Sequence, residues 1–211
     1  MFAINHAATG LVIRKAYPHA PMVGILLSVQ LMELVWVALN YLGTEQTTTE
    51  DEVTYVGDIH LSRMPYSHSV ATMVGSAAVV WLIGRGIGRP DVGAAMGLGV
   101  LSHLVLDLIT HSPDITLAPG IPKLTLGLGL YARYPAAAFW LELGYGTACW
   151  WIYQGSIALL VVILAFNLAN LPMFSRRLGR AIAFLAHRPK LITTVILVQI
   201  TVTLVLVGLL S

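Results

Sequence analysis

In the segment SHLVLDLITHSPD, His103, Asp107 and His111 recur at intervals of four residues. A helix would line them along one face. Two imidazoles with a carboxylate between them make half of a divalent-metal site, or a relay for protons. Asp114 follows one turn later, past Pro113. Other apolar stretches carry matching groups: His68 within PYSHSV, Gln30 and Glu33 three residues apart, and His6 directly after Asn5. Asp58-x-His60 offers a carboxylate and an imidazole in a polar stretch, while His19 and His187 sit beside prolines in surface segments. Taken singly, several of these have simpler uses. His6 could be a hydrogen-bonded core residue, Glu33 could pair with an arginine, Asp58 and His60 could be loop residues, and His111 with Asp114 could cap a helix exit. His103 with Asp107 is the strongest pair, because both lie in an otherwise lipid-compatible helix where each needs a partner.

The elements that would hold these groups are membrane helices. Of 211 residues, 57% are hydrophobic and 10% charged, with a net charge of +2; mean hydropathy is +0.79. A soluble domain carries about 25% charged residues, so a soluble globular protein, a disordered chain and a coiled coil are excluded. No basic stripe accompanies the small net charge, which argues against a nucleic-acid partner. The single Cys149 excludes a disulfide framework and a cysteine-rich zinc module. Charges in residues 1–20 leave no room for a cleavable secretion signal, so the mature chain is expected to start at Met1. The expected fold is all-α, a polytopic transmembrane helical bundle of five or six spans. It forms one membrane domain over 1–211, with a metal-site core over 1–145 and C-terminal helices over 146–211.

A span needs roughly 20 apolar residues. The windows are 21–43, 66–84, 91–110 and 191–210. The apolar run 136–171 is either two short helices turning at Gln154-Gly155-Ser156 or one span followed by an interfacial segment. Residues 112–135, rich in proline and glycine, read as a long ordered loop. Arg14, Lys15, Arg85 and Arg89 fall on one side, and the acidic loop 44–65 on the other. The positive-inside rule then puts the N-terminal flank in the cytoplasm and the loop outside, and it asks for the basic segment 176–190 inside. By helical rise from the 85–90 turn, His68 and His103 stand roughly 26 and 21 Å high, and His111 about 7 Å above His68. His68 and His103 should therefore share one ion, with His111 the weaker partner.

Three features together resemble the bacterial membrane-bound metal-dependent hydrolase family: F-x-x-x-H at 2–6, P-Y-S-H-S at 65–69, and G-x-L-S-H-x-x-x-D-x-x-T-H-x-P-D at 99–114. The likeness covers roughly residues 1–145 and is most specific over 99–114. The family is in turn similar to the zinc-dependent phospholipase C and nuclease superfamily, whose members hydrolyse phosphoesters at His and Asp/Glu-bound zinc. The resemblance implies that His6, His68, His103 and Asp107 are metal ligands. The family's P-D-x-D-H segment is missing here; Glu33 is the nearest acid on a span, and Asp58-Ile59-His60 the nearest in a loop.

The expected function is a membrane-embedded hydrolase of a phosphoester or lipid-linked ester, working through a metal-activated water. The ligands would be His6, Glu33, His68, His103 and Asp107, with His111, Asp114, Asp58 and His60 in second rank. Asp107 or Glu33 would accept the proton. Zinc suits the many imidazoles, and manganese or iron a mixed site. Lipid substrates would reach it from the side in a bacterial inner membrane. The same residues could instead pass metal ions or protons in a transporter or channel, for which a homodimer would supply a pathway, or staple a non-catalytic scaffold. The pairs Ser67–His68 and Ser102–His103 lie outside any G-x-S-x-G elbow; as sequence neighbours, their side chains are expected to point apart.

Overall fold

The computed structural model describes residues 1–121 and 124–211. Helices dominate: α1 (Ala3–Ala16), α2 (Met22–Val29), α3 (Leu31–Tyr41), α4 (Val70–Gly86), α5 (Pro90–Thr110), α6 (Leu130–Arg133), α7 (Pro135–Tyr153), α8 (Ile157–Ala169) and α9 (Pro189–Leu210). Strands are confined to two antiparallel hairpins in the connections, β1 (Gln46–Thr49) with β2 (Ile59–Arg63), and β3 (Ile115–Thr116) with β4 (Thr125–Leu126). The loop expected over 112–135 therefore holds the second hairpin and α6; residues 122 and 123 within it lie outside the described residues.

Local chemistry sets the boundaries. Pro90, Pro135 and Pro189 open α5, α7 and α9, where a missing N–H removes no helical bond. Ser69 and Ser156 cap α4 and α8 by accepting from the backbone N–H of Thr72 and Leu159. Gln154, with φ of 64°, stops α7 in the left-handed conformation. The apolar run 136–171 thus becomes two helices rather than one span.

The count of five or six spans is corrected. Only α5 and α9, of 21 and 22 residues, are long and apolar enough to cross a membrane by themselves among the described residues. The pair α2 and α3 adds a third if it is one span bent by 52°. Counting apolar residues overestimates span length because the backbone spends some of them elsewhere. Gln30 breaks the first window, and residues 66–69 precede α4 rather than belonging to it. The outward faces are nonetheless apolar: Val74 and Leu82 on α4, Val105 on α5, and Val198 and Leu209 on α9 are exposed, which is compatible with a membrane environment.

Helix α1 is the centre of the fold. Ile4, Ala7 and Leu11 pack with Leu26, Leu159, Ile163 and Val207 from α2, α8 and α9. A second core joins Met73 and Ala77 of α4 to Val100 and Leu104 of α5, with Met32 and Ile115. The α4–α5 hairpin closes around two glycines. A Cβ on Gly93 would lie 2.8 Å from the Trp81 carbonyl oxygen and 3.0 Å from the Gly84 Cα, so backbone meets backbone there.

The connections sort into two ends, and their charges are not divided as expected. Val53 of the acidic loop packs with Ile182 and Leu185 of the basic segment. The His187 N–H donates to Thr49 Oγ1 at 3.0 Å, and the Arg176 guanidinium lies over the Tyr55 ring. Loop 44–65 and segment 176–190 therefore share one end, contrary to their assignment to opposite sides. The other end holds Arg14, Lys15, Arg85 and Arg89: Lys15 donates to the Ile152 carbonyl, and Ile13 and Ala20 pack with Ala95 and Val92.

Replacing Gly93 with valine should force the α4–α5 crossing apart. Overpacking of this kind costs about 1–3 kcal/mol, so a lower thermal midpoint than native in the same detergent is expected, and an unchanged one would refute the close crossing.

Candidate metal centre

Six side chains from four regions of the chain meet in one buried cluster. His103 and Asp107 come from α5, and His111 from the residue that ends it. Glu33 comes from the first turn of α3, His6 from α1, and His68 from the short segment before α4. Asp107 is the hub. Its Oδ2 lies 3.0 Å from His103 Nε2, 3.5 Å from His68 Nε2 and 3.8 Å from His111 Nε2. Its Oδ1 lies 3.4 Å from His6 Nε2 and 2.6 Å from the Met1 amino nitrogen. Glu33 Oε2 lies 3.4 Å from His68 Nε2 and 3.7 Å from His103 Nε2.

His111 stands closer than helical rise suggests, its ring 5.5 Å from that of His68. The rise applies to neither residue. His68 lies outside α4, and His111 has extended backbone at φ −68° and ψ 148°, so the chain has already left the helix.

Outer partners fix the tautomers. His103 Nδ1 is 2.9 Å from the Val29 carbonyl, which can only accept, so this nitrogen carries a proton and, in the neutral ring, Nε2 holds the lone pair. The approach depends on Gly99, where a side chain would collide with Ser28 on α2. His68 Nδ1 is 2.8 Å from Ser67 Oγ, which donates to Glu45 Oε2 at 2.5 Å. With its hydrogen committed to a carboxylate, Ser67 accepts from Nδ1–H, and in the neutral ring the lone pair again falls on Nε2. The neighbours Ser67 and His68 thus do not point apart. Glu45 Oε1 accepts from the backbone N–H of Tyr66 and Ser67, both at 2.9 Å, and this turns the hydroxyl onto the ring. His111 Nδ1 is 3.3 Å from Asp114 Oδ1.

The inner atoms are spaced as the ligands of a metal ion would be. His68 Nε2, His103 Nε2 and Asp107 Oδ2 are buried without a hydrogen-bond partner among the described residues, although buried polar atoms are nearly always paired. Tetrahedral zinc with bonds of about 2.0–2.1 Å sets its ligand atoms roughly 3.3 Å apart. The four contacts linking Glu33 Oε2 and Asp107 Oδ2 to His68 and His103 Nε2 run from 3.0 to 3.7 Å. Three triads have one ligand atom from each residue within 4.8 Å of the others: His6, His103 and Asp107; Glu33, His68 and His103; and His68, Asp107 and His111. The chain therefore presents buried groups able to hold a metal ion.

Asp58 and His60 are occupied elsewhere. Asp58 Oδ2 accepts from the Thr54 N–H and hydroxyl and the Tyr55 N–H, while the exposed His60 pairs with Glu50 at 2.7 Å. Sequence reasoning missed Glu45 and also Glu142, a buried acid inside the apolar run 136–171. Glu142 accepts from Asn5 Nδ2, the Tyr131 hydroxyl and the Phe2 N–H, and so braces the start of α1 beside His6. Burial and the facing Glu142 carboxylate push the Tyr131 phenol above its ordinary range, keeping it a donor. A lone acid in an apolar stretch was the available signal.

Comparison with protein-family profiles, with characterised proteins and with solved structures returns no match.

Zinc affinity of the purified protein, read by chelator competition, should be lost in His103→Ala and His68→Ala. Removing the outer support in Glu45→Ala should cost about 10–100-fold, whereas His60→Ala should change nothing. Full zinc occupancy in His68→Ala would show that the α5 face alone makes the site.

Proposed function

We propose that this protein is a membrane-embedded, metal-dependent hydrolase of a phosphoester or lipid-linked ester, akin to the bacterial membrane-bound metal-dependent hydrolases that its motifs resemble. The observation that carries this is the unpaired, buried Nε2 atoms of His68 and His103 with Asp107 Oδ2, gathered beside a chamber that Glu33 also lines. His68, His103 and Asp107 would hold the ion, zinc before manganese or iron given two imidazoles, with His6 and His111 at its margin. A divalent ion bound there supplies Lewis acidity and a water of lowered pKa.

The chain's own groups divide the remaining work. Glu33, 21% exposed where Asp107 is 1% exposed, faces the chamber and takes the proton from water as general base. His111, 13% exposed and braced by Asp114, returns a proton to the leaving oxygen. Ser67 is no alternative nucleophile, being fully buried with its hydrogen held by Glu45. The apolar walls exclude bulk water and so strengthen each charge interaction inside.

The membrane would be the bacterial inner membrane. The end bearing the cluster carries Arg63, Arg133, Arg176, Arg177, Arg180, Arg188 and Lys190, against Arg14, Lys15, Arg85 and Arg89 at the other. Lysine and arginine excess marks the cytoplasmic side, which turns the cluster toward the cytoplasm and reverses the expected orientation.

Two measurements test these assignments. Zinc-loaded protein should release nitrophenol from bis(4-nitrophenyl) phosphate, with Glu33→Gln at least about 100-fold slower while still binding zinc. Metal uptake by proteoliposomes without turnover would favour a transporter, and unfolding on zinc removal without turnover a scaffold. In intact cells with a permeabilised outer membrane, an impermeant maleimide should label Gly88→Cys and spare Asp51→Cys; the buried Cys149 does not compete. The opposite labelling would restore the outward-facing cluster.

A further inference from the structure

Away from the cluster, the α4–α5 hairpin carries a groove on its outer surface. Ala77 of α4 and Gly97 of α5, both buried, make its floor. A Cβ on Gly97 would stand 3.1 Å from the Ala77 carbonyl oxygen, so no side chain of the hairpin can fill the floor from that side. Val74, Trp81 and Leu98, all exposed, rise beside it, and Tyr17 closes one side. Apart from the Tyr17 hydroxyl and the Trp81 indole N–H, every side chain lining the groove is apolar. Its volume of about 420 Å³ is far beyond the water-sized voids of a packed interior, so matter from outside the chain fills it.

Depth and charge say what that matter is. The groove runs along the hairpin, and α5 is long and apolar enough to cross a membrane. Counted by helical rise from Arg85, Trp81 stands roughly 6 Å and Val74 roughly 16 Å above it. Half of a bilayer's hydrocarbon core is about 15 Å deep, so the groove covers the depth that the chains of one leaflet occupy. Its outer end is cationic. The Arg85 guanidinium lies over the Trp81 ring, 5.7 Å from its centroid, which holds the charge at the rim. Arg89 follows across the turn, and neither arginine has a carboxylate within ion-pair distance among the described residues. Arg14 and Lys15, at the same end, donate to the Pro18, Ala20 and Ile152 carbonyls and keep their charge. Asp91 is the one acid in residues 1–32 and 70–106.

We propose that this groove holds an acyl chain of an anionic phospholipid whose phosphate is bound by Arg85 and Arg89. A guanidinium presents paired N–H donors that match phosphate geometry, and a headgroup of net negative charge adds an attraction that a zwitterionic one lacks. The site lies in the leaflet opposite the metal cluster. It depends on α5 crossing the bilayer and stands whether or not the protein is a hydrolase. A chain seated against Gly97 buttresses α5, the helix that carries His103 and Asp107.

The test uses full-length protein in detergent micelles with a trace of phosphatidylglycerol that carries a diazirine in one acyl chain. Irradiation should label groove residues on α4 and α5, as mapped by peptide mass spectrometry. Unlabelled phosphatidylglycerol should compete at least about fivefold better than phosphatidylcholine of the same chains, the factor that one arginine near an anionic headgroup supplies. Replacing both arginines, Arg85→Gln with Arg89→Gln, should bring that ratio near one. Ala78 also lines the groove and is exposed, so Ala78→Trp should fill the space and abolish labelling there. Thermal midpoints are measured alongside, and Val74→Trp carries the result if Ala78→Trp does not fold. Equal competition by the two lipids overturns the proposal, as does an unchanged ratio in the folded double arginine variant. Labelling spread evenly over the outer faces of the other helices overturns it too. A native dimer that Ala78→Trp disperses, with no lipid label in the groove, would assign the groove to a second copy of the chain and overturn the lipid site.

Discussion

A carboxylate buried to 1% exposure inside an apolar helix is the constraint on which the rest of this structure turns. Asp107 cannot stay charged there unpaired, and its own helix supplies only His103, with His111 just beyond its end. The chain meets the shortfall by bringing His6, His68 and the Met1 amino group to the same point, the last also donating to Thr110 of α5. Each visitor needs its own support. His68 has the Glu45–Ser67 pair beneath it, His103 has the carbonyl at the break between α2 and α3, and the start of α1 has Glu142. Much of the polarity buried in the molecule thus serves one oxygen pair, directly or at one remove.

Such a centre divides the work between stiff and soft elements. The α5 face holds its candidate ligands at fixed helical spacing, packed against α4 so closely that glycine faces glycine. The other candidate ligands arrive from a helix break, an extended segment and a helix terminus, places where backbone direction is set by hydrogen bonds rather than by a helix. Distances of 3.0–3.7 Å among the inner atoms are therefore held by side-chain and carbonyl partners as much as by the fold.

The i, i+4 spacing of His103, Asp107 and His111 was legible in the sequence because a helix converts spacing into a face. His6, Glu33 and His68 could be singled out only as ionisable residues in apolar surroundings; which of them meet is a matter of tertiary packing, and residue type does not encode it. Glu45 and Ser67 were hidden for another reason. An acid in an acidic loop looks like solvated charge, and nothing local shows that it folds back beneath a histidine. Helix number was misjudged where hydrophobicity was counted without backbone geometry, as at Gln30 and before Ser69. The grouping of the acidic loop with the basic segment escaped notice because the topology was inferred from charge, whereas Val53, Ile182 and Leu185 join the two through apolar contacts.

Helix α1 has a consequence for how the protein is made. It precedes in the chain all the helices that enclose it, α2, α5, α7, α8 and α9, and carries Asn5 and His6 fully or almost fully buried. Lipid offers nothing for those side chains to bond, and α1 keeps little outer surface of its own. Its final position exists only after Glu142 and Asn167 of the last third have been synthesised. Helix α1 is thus made before the helices that surround it and finds its place after them, so that the bundle assembles around a vacancy at its own axis.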